Sequence, residues 1–194
     1  YVERPIEDAA MASARRIIDA ILRAHGPNPA LAVDRHWHMV MANDAVSPLL
    51  ADVSDPSLLQ APINVLRLTL NPGGLAPHIA NLPEWRSHIL ERLRRQVEVS
   101  TDPALTALLS ELAGCGDSSR AHGPTEAPVA VTDHAVAVPL KLNTRAGLLS
   151  LISTTTVFGT ATEIILSELV IESLYPADEA SAERLIELQG VKSR

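Results

Sequence analysis

Apolar residues recur along this chain in two rhythms. From Ala9 to Ala24 they return every three or four positions, with Ile17, Ile18, Ile21 and Leu22 on one side. That spacing predicts an amphipathic helix. His25-Gly26-Pro27-Asn28-Pro29 stops it, because Gly and Pro interrupt helical backbone. Leu31–Val33 and His38–Ala42 are short apolar runs on either side of Asp34-Arg35-His36-Trp37, which predicts a β-hairpin. Its turn lacks the Asn-Gly signature, so the turn type stays open. Asn43 stands where an N-cap belongs, ahead of Asp44–Leu50, and Ser54-Asp55-Pro56 marks the next break.

Ile63–Leu70 mixes both rhythms, but Pro62 before it and Asn71-Pro72-Gly73-Gly74 after it argue for a short helix. Pro83 then opens a helix over Glu84–Val99, with Trp85, Ile89, Leu93 and Val97 as one stripe and Arg86, Arg92, Arg94 and Arg95 on other faces. Asp102-Pro103 opens another, striped by Leu105, Leu108, Leu109 and Leu112. Residues 114–134 are rich in Gly, Ser, Pro, Thr and Asp and read as a loop. Ala135–Leu142 and Leu148–Val157 are strand-like and are joined by a turn at Asn143–Gly147. Glu163–Leu174 reads as strand or helix. Pro176-Ala177-Asp178 starts a final helix with Leu185, Ile186 and Leu188.

The order is helix, two strands, several helices, three strands, helix. It predicts an α/β (α+β) domain of PAS-like type. An antiparallel sheet of about five strands would have helices covering one face, plus N- and C-terminal helices. The expected boundaries are a linker and connecting helix over 1–28, the PAS-like domain over 29–178, and a C-terminal helix and tail over 179–194. An apolar pocket with few polar groups, of the kind that takes small molecules, would lie between sheet and helices.

Composition narrows the function. The chain is 46% hydrophobic but only 3% aromatic, so its core rests on Leu, Ile, Val and Ala. Acids outnumber bases, 23 to 16, for a net charge of -7. A domain that grips DNA by itself clusters Lys and Arg against the phosphates, so any DNA binding is expected from another part of the protein. The opening at Tyr1, without Met, reads as a fragment. No run of eighteen apolar residues and no signal-peptide pattern is present. The one cysteine, Cys115, excludes an internal disulfide framework and fits a reducing, cytoplasmic setting.

Three blocks carry a family resemblance: LAVDRHWHMVMAN, INVLRLTLNPGGLAPHIANLPEWRSHILERLRRQ and STTTVFGTATEIILSELVIESLYPADEA. Together they resemble the MmyB-like transcription-regulator ligand-binding domain, over about Leu31 to Ala177. The resemblance implies a PAS-like domain that follows an N-terminal helix-turn-helix of the XRE type. It also implies a small apolar effector, with fatty acids as one class, a homodimer, no cofactor, and DNA contact only through the N-terminal domain. It brings no catalytic residue with it.

Candidate site residues follow from the stripes and from the resemblance: Met41, Leu66, Arg67, Leu70, His78, Trp85, His88, Ile89, Thr154 and Phe158. Trp85 is pocket wall or plain core, and the two overlap where a pocket is hollowed from the core. Arg67, His78, Arg86 and His88 would suit a carboxylate head group; the alternative is solvated helix surface. Arg67 is the best placed, inside the apolar run NVLRLTL. Thr154–Thr156 are strand formers, one or two of which would face the pocket. Phe158 would close it. His36 and His38 offer half a metal site with no third ligand close by in sequence, and His122 and His134 read as loop histidines. Ser153 lacks a nucleophile elbow, Asn71-Pro-Gly-Gly lacks the P-loop lysine, and the Arg-rich helix interleaves Glu84, Glu91 and Glu98. No enzyme motif emerges. The competing reading is a dimerisation platform without a physiological ligand.

Overall fold

Helices and strands fall largely where the two rhythms change. The computed structural model describes residues 9–114, 138–158 and 169–190. Within them the order is α1 (Ala9–Ala24), β1 (Ala30–Val33), β2 (Met39–Ala42), α2 (Val65–Leu70), α3 (Leu82–Ser100), α4 (Pro103–Gly114), β3 (Leu140–Thr144), β4 (Gly147–Val157), β5 (Val170–Pro176) and α5 (Glu179–Leu188). Short 3-10 turns occupy Ser47–Leu50, Pro56–Leu59 and Ala76–His78. The linker at 1–8, most of the 114–134 loop with Cys115, His122 and His134, and the start of the Glu163–Leu174 stretch lie outside the described residues.

The strands form one antiparallel sheet in the order β2-β1-β5-β4-β3, a PAS-like arrangement in which the first and last strands meet at the centre. Strand alternation then sorts the side chains. Leu140, Leu142, Leu149 and Leu151 point to the inner face and are at most 5% exposed. They pack with Leu66 and Leu70 of α2, Trp85, Ile89 and Leu93 of α3, and Leu105, Leu108 and Leu112 of α4. The opposite face belongs to α1, whose Ile18 and Leu22 meet Ala30, Ala32 and Ile171. The two alanines in β1 let the helix approach the strand closely. Ser181 of α5 ties the helix to β4 through its hydroxyl oxygen, which accepts from Ser150 N at 2.9 Å, and Asp178 caps the helix by accepting from Ser181 N.

Two local expectations change. Pro103 and Pro83 start their helices as expected, but Asn43 does not cap a helix over Asp44–Leu50. Only Ser47–Leu50 is helical there, as a 3-10 turn preceded by Val46. Asn43 instead ties three segments together. Its Oδ1 accepts from Ala30 N at 3.0 Å, and its Nδ2 donates to Leu22 O at 3.0 Å and Asn28 O at 2.9 Å. The end of α1, the bend after it and β1 are therefore held by one side chain. The strand-or-helix ambiguity of Glu163–Leu174 resolves, where described, as β5 from Val170.

Asn43→Ala removes all three links and leaves part-buried backbone groups unpaired. The expected loss is about 2 kcal/mol of unfolding free energy, from the usual cost of unsatisfied groups, read from urea midpoints. A midpoint equal to that of the natural chain would show that the bend holds without it.

Candidate functional site

The core stops short of filling the space between the inner sheet face and helices α2 and α3. A cavity of about 120 Å³ remains. Leu31, Met39, Leu66, Ile89, Leu140 and Leu174 supply much of its apolar wall, and both indoles, Trp37 and Trp85, line it. One end is polar, formed by Arg92, Ser153 and Glu172.

That end is built around a carboxylate in mid-strand. Glu172 sits on β5 opposite Leu31 of β1 and Thr155 of β4, and is only 7% exposed. Arg92 reaches across from α3 and pairs with it in two-pronged fashion, at 2.5 Å to Oε1 and 3.1 Å to Oε2. Ser153 Oγ and Thr155 Oγ1 donate to the same carboxylate at 3.2 and 2.9 Å. The Arg92 guanidinium also donates to Thr155 Oγ1 at 2.8 Å and lies 4.6 Å from the centroid of the Trp37 ring. A buried ion pair is tolerated when its remaining hydrogen-bonding capacity is met in this way.

Trp37 reaches this position through a strained turn. Its φ is 67°, the left-handed region that a bulky residue rarely enters. Asp34 Oδ1 holds the turn, accepting from His36 N and His38 N, both at 2.8 Å. Asn64, the N-cap of α2, donates to His36 O, and Val65 N donates to Trp37 O. The Trp37 indole N–H donates to Gln96 Oε1 at 2.8 Å. Trp85 differs: its indole nitrogen is buried and has no hydrogen-bond partner among the described residues.

The same turn brings together a possible cation cluster. Donor atoms of Asp34, His36 and His38 lie within 4.8 Å of one another, so Asp34 is the third group that spacing on the strand did not reveal. Each also has a protein partner: His36 Nε2 meets Asp102 Oδ2 at 2.9 Å, and His38 Nδ1 meets Asp34 Oδ2 at 3.1 Å. The His36 hydrogen bond, with help from the Ala104 N–H, holds the Asp102 carboxyl below the usual carboxylate range. A larger hollow of about 450 Å³ lies by the end of α1 and β2. Among its charged groups, Asp19, Arg23 and Asp44, the first two pair with each other, and Asn43 is committed to backbone.

The expected site residues separate. Leu66, Trp85 and Ile89 line the cavity. Leu70 is buried in the surrounding core, and His88 lies against Trp85 with ring centroids 5.5 Å apart. Arg67 turns outward and binds Glu111 of α4 in two-pronged fashion at 2.8 and 2.7 Å. That pair lowers the Glu111 pKa and raises that of Arg67. Arg86 caps the last carbonyls of α4, at Leu112 and Ala113. His78 Nε2 contacts Asp52 O at the surface, 3.2 Å away. Met41 and Phe158 pack on the α1 side of the sheet. Thr154 pairs in register with Ser173 and so faces that side too, while its neighbours Ser153 and Thr155 face Glu172. Sequence reasoning passed over Trp37, Arg92 and Glu172. The signal available was a lone carboxylate inside the apolar run LVIESLY.

Residues 14–188 match the MmyB-like transcription regulator ligand binding domain. The chain belongs to that family. No curated protein matches it. The MmyB-like family is one of ligand-binding domains of transcription regulators. Among the described residues no helix is long and apolar enough to cross a membrane.

Two measurements test the site's physics. Arg92→Met strands the Glu172 carboxylate and should cost about 3 kcal/mol, whereas Arg92→Met with Glu172→Gln should recover a large part of it. Additive losses in the double-mutant cycle would show that the two groups are uncoupled. Burial, then the charges of Arg92 and Arg95, hold the His88 pKa below its ordinary 6.5 against the pull of Glu172. The unfolded chain thus protonates first, so this contribution to stability is present above pH 6.5 and lost as pH falls through the folded value. His88→Gln should flatten the acid-side decline in urea midpoint; an unchanged slope would place the titration elsewhere.

Proposed function

We propose that this domain is the effector-sensing part of a cytoplasmic helix-turn-helix regulator, and that a compact apolar molecule occupies the cavity. The observation that supports this reading is an unfilled apolar space with one fixed polar end, inside a domain of a regulator ligand-binding family. An apolar cavity of roughly 150 Å³ takes benzene, and full ligand pockets run to about 300–1,000 Å³. At about 120 Å³ the space suits a single ring or a short acyl chain. A longer, fatty-acid-like chain has to displace Met39 or the turn at Ser47–Leu50.

The fold offers a route for the signal. Strands β1 and β5 carry cavity residues on one face, Leu31 and Glu172, and α1 contacts on the other, Ala30, Ala32 and Ile171. Helix α1 would lead to the DNA-binding part. An occupant that fits one placement of these strands better than another shifts α1 by that difference in affinity, and by no more.

A second reading, a dimerisation platform, draws on the sheet face that α1 leaves uncovered among the described residues. Leu148 and Ile152 of β4 are 41% and 36% exposed there. The two roles are compatible, and a homodimer through this face would place two sensing domains side by side.

Native mass spectrometry of the purified chain, with extraction of bound small molecules, tests the sensor reading. One apolar molecule per chain is expected, or a saturable thermal shift on adding one. At a hundredfold excess over Kd the stabilisation is about 2.7 kcal/mol, which corresponds to a Tm rise on the order of 5–10 °C for this chain length. Leu66→Trp should fill the space and abolish the shift. An empty chain, unmoved by a panel of compact apolar compounds, would leave the platform reading. For that reading, Ile152→Glu should turn a dimer into a monomer in sedimentation; a natural chain that is already monomeric at high concentration contradicts it.

A further inference from the structure

We infer that Asp34, His36 and His38 form a site for a late divalent transition ion of the zinc class, with the Asp102 carboxylate beside it. The site goes beyond the sensor reading and does not depend on what fills the cavity.

The turn between β1 and β2 assembles the group. Oδ1 of Asp34 accepts from the amides of His36 and His38, both at 2.8 Å, so that oxygen organises the backbone. Trp37 stands between the two histidines with its φ at 67°, and its own side chain goes to the cavity wall. The other carboxylate oxygen of Asp34 is left for an imidazole: Oδ2 lies 3.1 Å from His38 Nδ1. One donor atom from each of Asp34, His36 and His38 lies within 4.8 Å of the others. Asp102 arrives from the start of α4. Its Oδ1 takes the Ala104 N–H at 2.8 Å, and its Oδ2 lies 2.9 Å from His36 Nε2.

The donor set decides the class of ion. Two imidazoles with a carboxylate suit zinc and its neighbours, whereas calcium and magnesium take oxygen ligands. Bonds of about 2.0–2.1 Å to zinc set neighbouring donor atoms about 3.3 Å apart in a tetrahedron. The two imidazole–carboxylate contacts are already near that spacing, and the widest separation can close because all four side chains are partly exposed. Two carboxylates also match the charge of a divalent ion. Only those two contacts have to yield. The bonds that shape the turn and start α4 run through Oδ1 of each aspartate and stay in place. Trp37 lies on the same turn, so an ion there braces one wall of the cavity.

Calorimetric titration of zinc sulfate into the full, chelator-washed chain at neutral pH tests the site. Zinc should bind saturably, at about one ion per chain, and calcium chloride should not. His36→Gln and His38→Gln keep the backbone amides that Asp34 holds. Each should weaken zinc by at least about tenfold, the lower end of what losing even a supporting partner of a metal ligand costs. A chain with His122→Gln and His134→Gln should bind as the natural one does. Imidazole signals in nitrogen–proton spectra give a reading in the natural chain itself. It holds seven histidines, and the rings of His36 and His38 should move together as zinc is added. Four results overturn the inference and leave the sensor reading untouched: no saturable zinc binding, calcium bound as well as zinc, zinc bound undiminished by both single variants, or binding lost with His122 and His134.

Discussion

A carboxylate placed in the middle of a sheet, facing the core, must be neutralised or the strand cannot stay where it is. In this chain Glu172 is answered from the other layer, by Arg92 on α3, with Ser153 and Thr155 filling the remaining lone pairs. The pair is therefore a strut between helix and sheet. Apolar side chains alone would let α3 settle wherever packing was best. A two-pronged ion pair in a low-dielectric setting fixes the distance and the rotation. Such a pair adds little net stability, because desolvation offsets the attraction. Its effect here is to hold a space open at the end where the two layers would otherwise close.

The hairpin of β1 and β2 is built to the same constraint. The left-handed backbone of Trp37 is unfavourable by itself. Asp34, Asn64 and Gln96 hold it in place, and the result is an indole laid against Arg92. Strain at Trp37 and a buried charge at Glu172 thus collect around one cavity. The rest of the inner core, from Leu93 to Leu149 and Leu185, is apolar and closely buried. Local rules are broken where the ligand is proposed to sit, which is where natural sequences most often break them.

Much of the architecture was legible in the sequence. The stripes of α1, α3 and α4 follow the helical rhythm, and prolines at the starts of α3 and α4 mark those boundaries. The PAS-like antiparallel sheet of about five strands followed from element order and from the family resemblance together, while the order of strands within it is read from the structure. The site was less legible, for a physical reason. Periodicity tells which residues are buried but not which layer faces them. Arg92 belongs to an Arg- and Glu-rich helix and reads as solvated, yet one strand of the sheet reaches it. Arg67 lies in an apolar run and is the best placed of the head-group candidates by sequence, yet its other reading, helix surface, is where α4 offers it Glu111. Thr154 differs from Ser153 and Thr155 by one position, and one position on a strand exchanges faces. Asn43 is suited to a cap by type, but the bend after α1 supplied three closer partners.

The Arg92–Glu172 strut is taken to keep a largely apolar cavity preformed between the sheet and α3. Crystals of the chain placed under xenon pressure test it most directly, since xenon enters empty apolar space and avoids filled or hydrated sites. The expected result is a xenon peak enclosed by Trp37, Leu66, Trp85 and Leu140, with the Arg92–Glu172 pair unmoved. Side chains closed over that position, with no xenon there, would contradict it.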